Sequence, residues 1–306
     1  MRAEQKKKKK KWLRVTGIVF LLLIISLGAY LFTVYRSLTT AVDTMHEPIE
    51  RTREPRPVTF EEKEPFAVLM LGVDEREGDR GRSDTIIALT VNPEQNSIKM
   101  LSIPRDTRTE IVGRGTQDKI NHAYAFGGVE MSMDTVENFL DIPIDYYVKV
   151  NMEGFQDIVD AVGGITVNNE FAFTQDKIQF AEGTLNLDGK EALAYVRMRK
   201  QDPSGDFGRQ KRQRQVIQGV INKGVSFNSL TNFGNIFEAL GNNVKTNVTF
   251  DEMVEIQSHY RSAAGNVEQM QMKVTGQYID GISYQLISAE EQQRIQNELK
   301  THMELN

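Results

Sequence analysis

The sequence predicts an α/β domain, a mixed central β-sheet flanked by helices, preceded by one transmembrane helix. Three observations carry that expectation. Residues 15–35, VTGIVFLLLIISLGAYLFTVY, hold no charge and follow a run of six lysines. FAVLMLGVD and DTIIALTVNPEQNSIKMLSI, from Phe66 onward, are apolar runs suited to buried strands. Patterns that open helices then recur through the rest of the chain.

An uncharged stretch of about twenty residues is long enough to cross a bilayer as a helix. Lysines stay on the cytoplasmic side, so the ends are assigned as a cytoplasmic basic tail at 1–14 and a signal-anchor span at 15–35. A polar, Pro-containing stalk at 36–63 and an extracytoplasmic domain at 64–306 complete the order. That order predicts a single-pass type II protein of the cell membrane. A cleaved signal peptide fits less well, because its apolar region is shorter, roughly 7–15 residues.

The first strand is FAVLMLGVD. The next two runs are joined by NPEQNS, a turn signal that predicts a hairpin. Val129, Met133, Val136 and Leu140 share a helical face, and so do Phe155, Val159 and Val162, with Asn151 as N-cap and Gly163-Gly164 as the stop. Asp188-x-x-Glu191, Thr249-x-x-Glu252 and Ser288-x-x-Glu291 each resemble a capping box, predicting helices at about 188–195, 249–264 and 288–302. Met270, Met272 and Val274 alternate like a strand.

Composition narrows the chemistry. The chain of 306 residues has no Cys and four scattered His, which excludes a disulfide framework, a thiol nucleophile and Cys-based metal centres. The first fourteen residues carry +7 of a total net charge of −5, leaving −12 for the remainder. Against that acidic background, residues 195–215 (YVRMRKQDPSGDFGRQKRQRQ) contain seven Lys or Arg. The long-range field of the domain opposes nucleic acid, so the cluster calls for a more local anion.

If YVRMR is extended, Arg197 and Arg199 leave from one face with stems about 7 Å apart. Their mutual repulsion is then roughly 2–2.5 kcal/mol at an effective dielectric near 20, and an anion between them relieves it. A helix beginning near Asp206 or Phe207 places Arg209, Gln213, Val216 and Val220 on one stripe, its apolar end in the core and its polar end over a cavity. Lys211 and Arg214 fall elsewhere and read as a solvated face. Arginine forks plus the unpaired N–H groups of a helix start can hold a pyrophosphate. Ordinary salt bridges explain the segment equally well if it is taken alone.

Carboxylates at strand ends add a second element. Asp74 follows the first strand and Asp84 opens the second, joined by a Gly-rich connection, so the two could share Mg²⁺ or Mn²⁺. Arg82, Arg105 and Lys119 extend the set of cations for anionic oxygens. Standard nucleotide-binding, serine-hydrolase and zinc-protease motifs are absent.

The ordered motifs LMLGVD, GRSDT, SIPRDT, KINHAY with FGG, IPIDYYVKVN with GF, VDAVGGI, LDGKEALAYVRMRK and DFGRQKRQRQ run from Phe66 to Val220. Through them the chain resembles the LytR-CpsA-Psr family, and within it the wall teichoic acid transferases. The resemblance implies that family's fold and an extracytoplasmic phosphotransferase. Such an enzyme moves an anionic glycopolymer from a polyprenyl-pyrophosphate carrier to the muramic acid 6-hydroxyl of peptidoglycan and releases polyprenyl phosphate. It implies Asp74 and Asp84 as metal-proximal carboxylates, and Arg105, Arg197, Arg199, Arg209 and Gln213 as pyrophosphate ligands, with Arg82 and Lys119 as further members. Asp206 matches the aspartate of the family's DFGR motif, and either Asp74 or Asp206 could accept the hydroxyl proton or orient Arg105 or Arg209. The partners implied are the lipid-linked glycopolymer, peptidoglycan and other cell-wall assembly proteins. The polyprenyl tail is expected in an apolar groove between sheet and helices, lined partly from 129–162 and 216–240. A lipid-pyrophosphate hydrolase using water in the same pocket, and a non-catalytic sensor or regulator, remain as alternatives.

Overall fold

The computed structural model describes residues 42–305, apart from 50, 52–55, 76–80, 227–239 and 242, together with scattered positions before them (20, 24–26, 28, 30, 32–33, 35–36 and 39–40). The basic tail 1–14, most of the span 15–35 and the 227–239 part of the expected groove wall lie outside the described residues. Among the described residues no helix is long and apolar enough to cross a membrane.

A six-stranded mixed sheet organises the domain. Its strands are β1 (Phe66–Val73), β2 (Ser83–Asn92), β3 (Ser97–Ser102), β6 (Tyr146–Val150), β11 (Val244–Thr246) and β12 (Val267–Met270), in the spatial order β11-β6-β1-β2-β3-β12. The expected hairpin is present as β2 antiparallel to β3. β6 runs parallel to β1, and β12 parallel to β3, which makes the sheet mixed. Two-stranded ribbons complete the β structure: β4 (Arg108–Ile111) with β5 (Thr116–Lys119), β7 (Ile165–Asn169) with β10 (Gly183–Leu187), β8 (Phe173–Gln175) with β9 (Ile178–Phe180), and β13 (Thr275–Ile279) with β14 (Ile282–Leu286).

Alternation along β1 sends its residues to two different cores. Leu69, Leu71 and Val73 meet Met133, Val136 and Leu140 of helix α1 (His122–Leu140), and Ile295 and Leu299 of the terminal helix α6 (Ala289–His302). Val68 and Met70 face the other way, with Leu89, Ile217 and Ile221. On that second side lie α2 (Met152–Ala161), α3 (Gly189–Arg197), α4 (Asp206–Ser226) and α5 (Phe250–His259).

Local chemistry sets the helix ends. Asn151 caps α2 by accepting from the Gly154 N–H, and the chain leaves the helix through Gly163 and Gly164, both at positive φ. Asp188 with Glu191, and Thr249 with Glu252, form complete capping boxes. Ser288 caps α6, but Glu291 does not reciprocate: its carboxylate accepts from the Lys273 N–H and from Arg294. The third box is therefore half formed, because a tertiary partner captures its carboxylate.

Three expectations change. α3 continues through Arg197, so Arg197 ends a helix, and only the backbone at Met198 turns extended. Both arginines still point outward, because Val196 and Met198 fill the core between them. β12 stops at Met270, and Met272 is buried from an irregular segment. Arg214 is buried rather than solvated, donating to Ser102 Oγ (2.9 Å) and Gln269 Oε1 (3.1 Å), whereas Lys211 does sit at the surface, paired with Glu170. Within 36–63, Arg51 is bound to Asp134 and Glu137, Arg56 to Asp145, and Phe60 is buried, so these residues pack on the domain.

Candidate active site

Between the sheet and helices α2, α3 and α4 lies a cavity of about 480 Å³. Its body is apolar, built from Val68, Met70, Val148, Phe155, Val216 and Ile221 among others, and one end is polar, with Asp84, Thr85, Arg197, Arg209 and Gln213. Nothing from 129–147 lines it, a correction to the expected groove. α1 covers the opposite face of the sheet, so the walls come from 148–159, 193–197 and 209–221.

The polar end is assembled by the strand ends and the start of α4. Gly72 pairs with Thr85 and Val73 with Ser83, so Asp84 is the extra residue of a β-bulge. A bulge lets consecutive side chains share a face, and Asp84 and Thr85 both enter the cavity. Asp84 Oδ1 accepts from Arg105 Nη1 at 2.8 Å. On α4, the stripe read from the sequence holds: Arg209, Gln213, Val216 and Val220 all line the cavity, with Gln213 Nε2 donating to Thr85 Oγ1 at 2.8 Å.

Asp206 gathers two more cations. Its Oδ1 lies 2.7 Å from Arg209 Nη2 and 3.6 Å from Arg199 Nε, while Oδ2 accepts from Gln210. Arg209 Nε is buried with no hydrogen-bond partner. Burial holds the Arg209 guanidinium below its ordinary pKa. Asp206 pulls it back up, and the nearby positive charges of Arg105 and Arg199 act with the burial. Arg105 stands the other way, since burial is outweighed by its hydrogen bond to Asp84 and by the charges of Asp84 and Asp106. Burial therefore outweighs the single carboxylate partner of Arg209, whereas Arg105 is held by a direct bond to Asp84.

The remaining residues from the sequence are dispersed around this centre. Lys119 reaches Asp106 (3.4 Å), which lies 3.9 Å from Arg105 Nε, and its ammonium stands 5.8 Å over the Tyr284 ring, one layer outside the cavity. Arg82 is exposed just before β2 and Asp74 directly follows β1; neither lines the cavity. No group of three or more metal-ligating side chains is present among the described residues. Of the two strand-end carboxylates only Asp84 lines the cavity, and it is paired with Arg105, so a hard ion held there would take most of its oxygens from phosphate and water.

Sequence reading missed what braces the site. Arg212 is buried and donates to the Tyr195 carbonyl (3.1 Å), the Met198 carbonyl (2.5 Å) and Asp202 (2.6 Å), tying the end of α3 to the start of α4. A Cβ on Gly208 would lie 1.8 Å from Asp202 Oδ2, so the glycine in DFGR makes room for this pair. The periodicity that put Arg209 on the cavity stripe also put Arg212 off it, and that offset was the available signal.

The motifs read from the sequence agree with a family comparison: the chain belongs to the LytR_cpsA_psr family, whose model matches residues 32–301. It is 52% identical over 305 residues, 99% of this chain and all of the relative, to the polyisoprenyl-teichoic acid–peptidoglycan teichoic acid transferase TagU of Bacillus subtilis (strain 168). The crystal structure of B. subtilis TagU matches with 55% identity and a TM-score of 0.65, covering 80% of this chain and 99% of that one. A structure of TagT bound to LI-WTA matches at 31% identity with a TM-score of 0.71, over 84% of this chain and 100% of the other.

Proposed function

We propose that this chain is a teichoic acid transferase: a phosphotransferase that moves an anionic glycopolymer from a polyprenyl-pyrophosphate lipid to peptidoglycan. The observation that carries the reading is one cavity with an apolar body and a polar end where buried Arg209 Nε lacks a partner. A polyprenyl pyrophosphate has the matching form, a long hydrocarbon ending in two phosphates. Relatives at about 52% identity across the chain bear the transferase name, which favours transfer over hydrolysis or sensing.

In this reading the muramic acid 6-hydroxyl attacks the phosphorus on the polymer side. The bond to the lipid phosphate breaks, a phosphodiester forms and polyprenyl phosphate leaves. Such a reaction needs positioning and charge neutralisation more than covalent help. Arg105, Arg197, Arg199 and Arg209 would bind the pyrophosphate oxygens, with Gln213 at their side and Lys119 and Arg82 further out. Asp206, held against two arginines, is suited to orient them rather than to take a proton. Mg²⁺ (or Mn²⁺) would sit at Asp74 and Asp84 and supply further charge neutralisation at the phosphates.

The anchor belongs to the same proposal. The uncharged stretch 15–35 spans the membrane behind a cytoplasmic lysine run, placing the domain outside the cell. Its described apolar side chains, including Phe20, Ile25 and Phe32, are exposed, as lipid-facing residues would be. Full-length protein in detergent with Mg²⁺, a polyprenyl-pyrophosphate-linked saccharide and peptidoglycan oligomers is expected to give a phosphodiester-linked adduct by mass spectrometry, and Arg199→Ala none. Lipid phosphate released without the adduct would instead establish a hydrolase.

A further inference from the structure

Around residue 45 the N-terminal segment is joined to the domain by more than the chain itself. Val42 and Met45 are buried, and Met45 packs with Leu240 and Val244, against Val148, Val150 and Ile158. Those last three also line the cavity, so Met45 backs the wall of the apolar groove. Polar contacts fix the same junction. Lys245 Nζ donates to the Thr44 carbonyl (2.8 Å), Glu47 N–H to the Thr246 carbonyl (2.8 Å) and Tyr147 Oη to the Glu47 carbonyl (2.9 Å), while His46 bridges to Thr246 at the edge of β11. Nearer the span, the Tyr35 ring meets Phe250 at the start of α5, edge to face, with centroids 5.8 Å apart.

Tyrosines at the end of a span sit at headgroup level. Tyr35 closes the uncharged stretch, so its contact fixes Phe250 at that level too. Val254, one helical turn on from Phe250 along the same face, is an exposed apolar residue beside it. Met45 lies only ten residues beyond Tyr35, and the described positions between them are helical. That places β11 and the groove wall a short distance above the headgroups, on the side of the domain from which the anchor arrives.

Resting on the anchor reading above, we propose that the domain is docked on the end of its own span in one orientation. α5 then lies at the bilayer surface, and the groove wall at Val148, Val150 and Ile158 is next to the anchor. The partner of this surface is the lipid bilayer, and the lipid-carried substrate reaches the groove along the anchor without crossing open water.

The absence of cysteine makes the test direct, because each introduced cysteine carries a single label. Full-length Val254→Cys and Tyr278→Cys, each bearing an environment-sensitive fluorophore, would be reconstituted in phosphatidylcholine vesicles containing headgroup-level quencher lipid. Tyr278 lies on the β13–β14 hairpin, away from the junction. Quenching at 254 several-fold above that at 278 is expected. Equal quenching, or more at 278, in chain that floats with the vesicles overturns the docking; chain that fails to float overturns the anchor reading instead. Met45→Lys in the 254-labelled chain is expected to bring its quenching down toward the 278 value and to lower turnover of a vesicle-borne donor about tenfold. Unchanged quenching and unchanged turnover in that variant would also overturn the docking.

Discussion

Asp206 and Arg209 show how little of a residue's role is visible without its neighbours. Spacing singled out Arg209 and a motif singled out Asp206, but only the structure separates Arg105, whose pKa its carboxylate partners raise, from Arg209, whose pKa burial lowers despite Asp206 beside it. Under the transferase proposal Arg209→Ala should lower turnover about 10²-fold, as loss of one preorganised donor does elsewhere. Arg209→Lys should recover only part, since a point charge cannot replace a planar fork. Asp206→Asn keeps the size but releases two arginines, and steady-state assays should find the loss mainly in kcat if the carboxylate orients them. Wild-type turnover in Asp206→Asn would remove that role. Arg212 escaped notice because its place off the cavity stripe says only that it faces elsewhere, while two of its partners are the carbonyls of Tyr195 and Met198.

Elements were legible where a local rule decides them. β1, the β2–β3 hairpin and the caps at Asn151, Asp188 and Thr249 follow from alternation, turn chemistry and short side-chain bonds, and all are present. What failed depends on partners outside the element: Glu291 leaves its box for the Lys273 N–H, and α1 packs on the face of the sheet away from the cavity. A helical face in the sequence says that something will cover it without saying what. Two outcomes belong at this scale. Gly208→Ala forces Asp202 from Arg212 and should cost about 1–3 kcal/mol, or more if the buried pair is lost outright, read from the shift in a urea midpoint. Val220→Asp on the cavity side of α4 should abolish binding of a polyprenyl phosphate while the circular-dichroism spectrum stays native; intact binding would move the lipid elsewhere.

At the scale of the whole molecule, the C-terminal helix is pinned to the sheet by one buried histidine. His302 Nδ1 meets Thr90 Oγ1 at 2.7 Å and Nε2 meets Ser97 Oγ at 2.9 Å, while Asn92 donates to the His302 carbonyl. Burial, and after it the charge of Lys99, lowers its pKa from 6.5, with Glu268, Glu304 and Glu298 acting weakly the other way. The unfolded chain therefore binds this proton more readily, so the contribution of His302 is present above about pH 6.5 and is lost as pH falls through the folded value. Urea unfolding between pH 7.5 and 5.5 should show a slope that His302→Gln flattens. Equal slopes in the two proteins would remove the latch from the acid response. Chain order at this scale was readable from composition, since a lysine run and an uncharged stretch announce themselves, whereas the junction at Met45 arises from β11, some two hundred residues away.

The bulge at Asp84 stands outside the register of the two strands it joins. Every pair formed between β1 and β2, from Phe66 with Val91 to Val73 with Ser83, omits residue 84. Removing that single codon would leave all of these pairs in register, whereas a deletion inside a regular ladder turns the following side chains to the opposite face. The fold and the carboxylate are thus separable at one position, and a scaffold without its chemistry lies one deletion away.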